Sequence, residues 1–268
     1  MGFRRMRNQK EYAKTHTQRN GAAAHALASA ITSSRTSPAA PLAGQVSGRL
    51  DHKRISRIGT GDLRLFSRPD APTPDKVRLT ILLDASRSMN WLIDVPNGHD
   101  SATRADIAAQ TTRDLAEATD LLPWVHADAI AFTSLAHNAG SNVGGSMGMF
   151  PLWESGQDTG DIDAYGTIPM YGTEEGYALA YAGDELIEAR KQGEQCLIVL
   201  VGDGEPDEAR HVRSVVKTLA RRGVPVVSVA LTEAAAQPAM YGADNVIRYR
   251  HEPRALARAM AGVIGRVI

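Results

Sequence analysis

The chain has 268 residues, 43% of them apolar and 5% aromatic. That suffices for one well-buried α/β domain plus a tail, is short for two full domains, and leaves Leu, Ile, Val and Ala to fill most of the core. A sole cysteine, Cys196, excludes an internal disulfide, and no run approaches the ~20 apolar residues of a membrane span.

The formal net charge of zero hides an asymmetry. Residues 1–57 hold eleven Lys/Arg against only Glu11 and Asp51, whereas the rest of the chain is acidic by the same margin. A basic arm therefore precedes an acidic domain. It reads as a solvated, flexible tail, with docking on an acidic surface or on nucleic acid as the alternative. Arg4, Arg5, Arg7, Lys10 and Lys14 are the phosphate-contact candidates, but Phe3 and Tyr12 alone offer little base stacking. Cys196 heads an apolar run and reads as a small core residue. A reducing, cytoplasmic setting is the default, although an Arg-rich, acid-poor start also suits a transit peptide.

In chain order, residues 1–47 read as the basic flexible arm, with a few helical turns around Ala22–Ile31 and a Ser/Pro-rich linker beyond them. Residues 48–76 mix charge with Leu50, Ile55, Ile58, Leu63, Leu65 and Phe66, as expected of a lead-in that packs on the domain. The domain occupies 77–268. Val77–Leu83 is an apolar run ending in Asp84, consistent with a buried parallel strand. Helical spacing follows over Arg104–Leu122, with Ile107, Ala108, Leu115, Ala118 and Leu122 apolar. Val125–Phe132 reads as a strand. Residues 134–172 are Gly-rich and break the rhythm, so they form an insertion that is functional or mobile. Thr173–Ala189 reads as a helix, with Tyr177, Ala180, Tyr181, Asp184 and Ile187 along one flank. Cys196–Val201 is a second central strand. Asp207–Arg222 is a helix stopped by Gly223, Val224–Leu231 a strand, Asn245–Tyr249 a short strand and Pro253–Val267 a closing helix. Alternation of this kind predicts a doubly wound, mostly parallel sheet flanked by helices.

Ligands of such sheets bind at the C-terminal ends of the strands. Two strands here end in carboxylates, in Asp84-Ala-Ser86-Arg-Ser88 and Val201-Gly202-Asp203-Gly204-Glu205-Pro206-Asp207, and Thr173 stands between them at a helix start. Three loops thus bring hard oxygen donors to one sheet edge. Three hydroxyls and two carboxylates, some acting through water, suit Mg²⁺, which wants about six oxygens in an octahedron. Mn²⁺ and Ca²⁺ remain alternatives. The loops contain no His or Cys, which argues against Zn²⁺. With few direct charges the ion stays electrophilic and keeps a position for an outside carboxylate.

Asp84-x-Ser86-x-Ser88, Thr173 and Asp203-Gly204, in this order and spacing, resemble the metal-ion-dependent adhesion site of the von Willebrand factor A family, over about residues 77–235. The resemblance implies a Rossmann-like fold, direct ligation by Ser86, Ser88 and Thr173, and water-mediated roles for Asp84 and Asp203. Its metal-dependent function is protein binding, without catalysis. Two positions depart from the family pattern: Arg87 replaces a frequent Gly, and Gly202 stands where Thr or Ser often precedes the aspartate. Among relatives, the chain is most similar to intracellular bacterial domains that work with MoxR-type AAA+ ATPases, including the cobaltochelatase subunit CobT. The segment Gly48–Phe66 resembles the stretch before the metal domain there, whereas CobT's acidic low-complexity region is absent. The expected partner offers an acidic side chain to the metal, an AAA+ ATPase being the leading candidate.

Two other function classes were weighed. A Mg²⁺-dependent phosphatase of the haloacid dehalogenase type would share the Val201–Asp207 motif, but it needs Asp-x-Asp after the first strand, and here the second position is Ser86. A nucleic-acid-associated protein would act through the basic arm. Asp158, Asp161 and Asp163 offer a second Ca²⁺ site or, more simply, solvated loop acids. His126, His137, His211 and His251 lie on different elements and read as surface or core. Glu174, Glu175, Glu205 and Asp207 ring the proposed metal and set local potential. Met147, Met149 and Trp153 read equally as an apolar contact beside the site or as packing.

Overall fold

The computed structural model describes residues 17–36, 42–45, 49–50, 66–68, 76–93, 102–134, 147–203, 208–232, 238–248, 259–260 and 262–264. The first helix, α1, spans Gly21–Thr36. Three short strands, β1 (Leu42–Gln45), β2 (Arg49–Leu50) and β3 (Phe66–Arg68), form a small antiparallel sheet in the order β1-β3-β2. The main sheet begins with β4 (Val77–Asp84). It continues through α2 (Arg104–Asp120), β5 (Val125–Ser134), β6 (Met147–Glu154), a 3-10 stretch at Thr159–Thr167, α3 (Glu175–Lys191) and β7 (Gln195–Gly202). Then come α4 (Ala209–Arg221), β8 (Val226–Ala230), the single turn α5 (Pro238–Tyr241) and β9 (Val246–Arg248). Within the predicted closing helix, 259–260 and 262–264 are helical.

The six strands lie in the order β6-β5-β4-β7-β8-β9, and every pair is parallel except β5 with β6. Sequence thus predicted the mostly parallel, doubly wound sheet correctly. The reason shows in β4, where seven of eight residues are buried. Side chains alternate across a strand, so both faces must be apolar when helices cover both. Leu79, Ile81 and Leu83 join a core shared with α1 and α2, while Leu82 joins the core beneath α3 and α4. In β7, Leu197, Val199 and Val201 take the first face, and Cys196, Ile198 and Leu200 the second.

Two expectations are corrected. First, not all of the basic arm is a solvated tail. Ala24, Leu27, Ala28 and Ile31 of α1 are in the core. Just before α1, the Thr17 hydroxyl donates to Asp163 Oδ1 (2.7 Å) and accepts from Arg113 Nη1 (2.6 Å). Gln18 and Gln110 exchange two hydrogen bonds of 2.8 Å. Residues 1–16 and 37–41, including Arg4, Arg5, Arg7, Lys10 and Lys14, lie outside the described residues.

Second, the expected insertion 134–172 contains a strand of the main sheet. β6 pairs antiparallel with β5 at the edge, and its register shifts between Ala129 and Ile130, opposite Trp153 and Pro151. Proline lacks a ladder donor and is tolerated only at edges and bulges, so Pro151 disguised this strand. Residues 135–146 are outside the described residues.

The flank of α3 named above is mostly its outer side. Ala178, Leu179, Ala182, Gly183 and Leu186 are buried instead, whereas Tyr177 and Tyr181 are exposed. Gly183 lets α4 approach closely, since a Cβ there would lie 2.2 Å from Leu219 Cδ2.

One buried acid makes stability depend on pH. Asp128 of β5 has its pKa pushed up to about 6, first by burial and then by the Glu185 charge, against the lowering effect of the Thr80 hydroxyl, whose hydrogen bond to Oδ1 is 2.9 Å. A carboxyl whose folded pKa is raised carries no penalty below its unfolded value near 3.8 and an increasing one as pH rises through about 6. Asp128→Asn, which keeps an acceptor for Thr80, should therefore stabilise the protein by about 1–2 kcal/mol at pH 8, discounted for partial solvent screening. The gain should vanish by pH 4. Urea unfolding at the two pH values checks this, and an equal gain at both would refute it.

Candidate functional site

β4 is where the sheet changes direction. The chain goes from β4 to β5 on one side, and β7 then pairs on the other, so the loops after β4 and β7 diverge around a crevice. Asp84 ends β4, and Asp203 follows β7 directly. The two lines approach so closely that a Cβ on Gly202 would lie 2.9 Å from Asp84 Cβ. Glycine at 202, one of the departures from the family pattern, is thus demanded by packing against Asp84.

The first loop is held by its own aspartate. Asp84 Oδ1 accepts from the Ser86 backbone N–H at 2.7 Å, and the Ser86 and Ser88 hydroxyl oxygens lie 3.0 Å apart. Buried Tyr165, from the 3-10 stretch, donates its hydroxyl to the Asp84 carbonyl oxygen, and burial raises its pKa well above the usual phenol value. The second loop is stitched beside the first. Arg87 N–H donates to Tyr171 O (2.8 Å), Ser134 N–H to Gly172 O (3.2 Å), and the Thr133 hydroxyl accepts from Tyr171 N–H (3.0 Å). This carries buried Thr173 to the crevice, ahead of α3. Asp203, which directly follows β7, accepts at its backbone O from the Thr232 hydroxyl at 3.1 Å.

Four of the five sequence-predicted residues, Asp84, Ser86, Thr173 and Asp203, are buried, and Ser88 is half-buried. All five stand on the three loops at one end of β4 and β7. Glu205 and Asp207 are outside the described residues. Glu174 precedes α3.

Sequence reasoning put Arg87 near the metal as the cation that pairs with the partner's acid or tunes the site, and it missed Arg104. Arg104, the first residue of α2, places Nη1 2.5 Å from Asp203 Oδ2, and the two side chains are 9% and 3% exposed. Its guanidinium also lies 5.2 Å from the centroid of the Trp91 ring. A capping box sets its position: the Thr103 hydroxyl accepts from Asp106 N–H, and the Asp106 carboxylate accepts from Thr103 N–H. Glu175 was expected to set local potential, and its own charge state is now clear. Burial, then the Asp84 and Asp203 charges, push its pKa up to about 8, so at neutral pH it is largely protonated. Tyr241 donates its hydroxyl to it.

Asp203 Oδ1 is buried and, among the described residues, has no hydrogen-bond partner. A buried carboxylate oxygen without a partner is costly, and a cation would satisfy it. Together with the two neighbouring serine hydroxyls this is a hard-oxygen donor set, which fits Mg²⁺ or a similar ion. Among the described residues, no group of three or more His, Cys, Asp or Glu could hold a metal. Asp158 is engaged elsewhere, accepting from Gly160 N–H (2.9 Å) and Arg19 (3.4 Å), as is Asp163 with Thr17. His126 pairs with Glu154 (3.2 Å), and the His211 ring stacks on Tyr177 with centroids 4.7 Å apart. His137 and His251 are outside the described residues. Trp153 is buried, donating to Gln157 O (3.2 Å), and Met147 and Met149 pack on the second core, so packing is their role. Burial raises the Cys196 thiol to about 11, and it donates to Leu186 O (3.2 Å) as an inert core group.

The topology, with its crevice at the switch point, defines a doubly wound α/β domain. It is similar in structure to the pilus adhesin SpaC of Lactobacillus rhamnosus GG, with 13% identity and a TM-score of 0.51 over 71% of this chain and 31% of that one. A mutant of the PilB minor pilin of Streptococcus sanguinis gives 14% and 0.50 over 75% and 64%. The VWA domain of SpRpn10 gives 12% and 0.46 over 69% and 94%. The chain thus spans about a third of the length of SpaC and under two thirds of PilB. No protein-family model and no curated protein matches the sequence. No described helix is long and apolar enough to cross a membrane.

Proposed function

We propose that this chain is a non-catalytic binding module of the von Willebrand factor A family. It holds one divalent cation, Mg²⁺ first and Mn²⁺ or Ca²⁺ as alternatives, at Asp84, Ser86, Ser88, Thr173 and Asp203. Through that cation it captures an acidic side chain of a protein partner. The observation that carries this reading is the buried Asp203 Oδ1, without a hydrogen-bond partner among the described residues, in the same crevice as the paired Ser86 and Ser88 hydroxyls. When bound, the ion supplies an electrophilic position for the partner's carboxylate. The chain's own residues shape the crevice: Asp84 braces the serine loop, Gly202 admits it, and protonated Glu175 keeps the negative charge low.

The finer form of the proposal makes the partner a MoxR-type AAA+ ATPase, with this chain a CobT-like subunit in the cytoplasm. It rests on the Gly48–Phe66 lead-in, of which β2 and part of β3 are described. A phosphatase is disfavoured, because Ser86 occupies the general-acid position and cannot serve in that role. Binding of nucleic acid by the arm would fall to residues 1–16, which hold Arg4, Arg5, Arg7, Lys10 and Lys14.

Isothermal calorimetry with Mg²⁺ tests the site, with and without glutamate as a surrogate partner. Wild type should bind one ion, more tightly with glutamate. Asp84→Ala and Ser86→Ala/Ser88→Ala should lose at least about tenfold in affinity, since each removes donors that Mg²⁺ needs. Unchanged binding in folded variants would overturn the assignment.

A further inference from the structure

We propose that Arg104 is a resident counter-ion of this site: it occupies one oxygen of Asp203, leaves the other for the cation, and by its charge holds metal affinity down until a partner carboxylate offsets it. The inference rests on the metal-site reading above.

Arg104 is in an unfavourable place for anything else. A cation in the first turn of a helix opposes the helix dipole. Its side chain is 9% exposed, and among the described residues its Nε has no hydrogen-bond partner. What compensates is the 2.5 Å pair with Asp203 and the Trp91 ring. Neither partner is local, since Asp203 is 99 residues away. The geometry divides the Asp203 carboxylate in two: Oδ2 is held by Arg104, and Oδ1 is buried without a hydrogen-bond partner among the described residues.

A guanidinium stays charged at any physiological pH. Inside a buried site its field is poorly screened, so it repels a dication bound nearby. The Asp203 carboxylate is therefore already neutralised by Arg104 before any metal arrives. An incoming carboxylate restores the missing negative charge. Metal and partner are thereby coupled, each raising the other's affinity by the same factor.

Two variants separate charge from packing. Arg104→Gln keeps a donor for Asp203 and removes the charge, whereas Arg104→Lys keeps the charge and loses the planar fork. Mg²⁺ titrated by calorimetry should bind Arg104→Gln at least about tenfold more tightly than wild type. Arg104→Lys should stay within about threefold of wild type. Glutamate should tighten Mg²⁺ binding in wild type and do so less in Arg104→Gln. The proposal is overturned if Arg104→Gln binds no more tightly, or if Arg104→Lys tightens as much. Should Arg104→Gln be unfolded without metal, circular dichroism reads the same question. Refolding on Mg²⁺ supports the proposal, and an unfolded chain at saturating Mg²⁺ overturns it. If neither folded wild type nor the variants bind Mg²⁺ in either condition, the metal-site reading itself fails and takes this one with it. A wild type that binds as tightly as Arg104→Gln sinks the counter-ion alone.

Discussion

Asp203→Ala should destabilise the metal-free protein by about 3–5 kcal/mol, because it strands a buried guanidinium. The Arg104 side chain is 9% exposed, and its pair with Asp203 is 2.5 Å long. With the carboxylate gone, Arg104 keeps the Trp91 ring but loses its anion, and among the described residues its Nε already has no hydrogen-bond partner. For a chain of this size the melting temperature should fall on the order of 10 °C. Asp203→Ala/Arg104→Met should recover most of the loss, since replacing both members of a buried pair by apolar groups is often close to neutral. Thermal unfolding by circular dichroism in EDTA reads this without contribution from metal. A single variant within about 1 kcal/mol of wild type would mean that the pair is solvated and that Arg104 does not depend on Asp203.

Leu27→Ala and Ile31→Ala should each cost about 2–4 kcal/mol, although both lie in a segment whose composition reads as a tail. Each side chain is 2% exposed and belongs to the core that includes Leu79, Ile81 and Leu115. Truncation would leave a cavity between α1 and α2. His25→Ala, at an exposed position of the same helix, should change stability by no more than about 0.5 kcal/mol. Urea denaturation of the three variants distinguishes the cases. If all three behave alike, α1 contributes nothing to the cooperative unit.

The central strands of the main sheet were legible because burial on both faces writes itself into a strand as a mostly apolar run without alternation. Val77–Leu83 and Cys196–Val201 show it, and the observed strands exceed the predicted ones by only a residue at either end. The serine loop was legible because Asp84, Ser86 and Ser88 act within five residues, where spacing alone decides what a loop can bring together. That Thr173 and Asp203 reach the same crevice followed from the rule for parallel sheets, not from contacts.

Other features left no local trace. α1 hides its core side in small residues: beside Leu27 and Ile31, its buried positions are alanines. β6 carries Pro151, which a central strand would forbid and which the edge accepts. Arg104 reads as an ordinary helix residue until the fold sets Asp203 beside it. Glu175 becomes a protonated acid only once burial and two neighbouring carboxylates make its charge too costly. Sequence by itself determined the central strands and the winding of the sheet, because these follow from periodicity and from the order of the elements. Tertiary structure alone decided which charges meet, which are buried and which are neutralised, because electrostatic energies depend on distance and dielectric, and neither exists before the chain has folded.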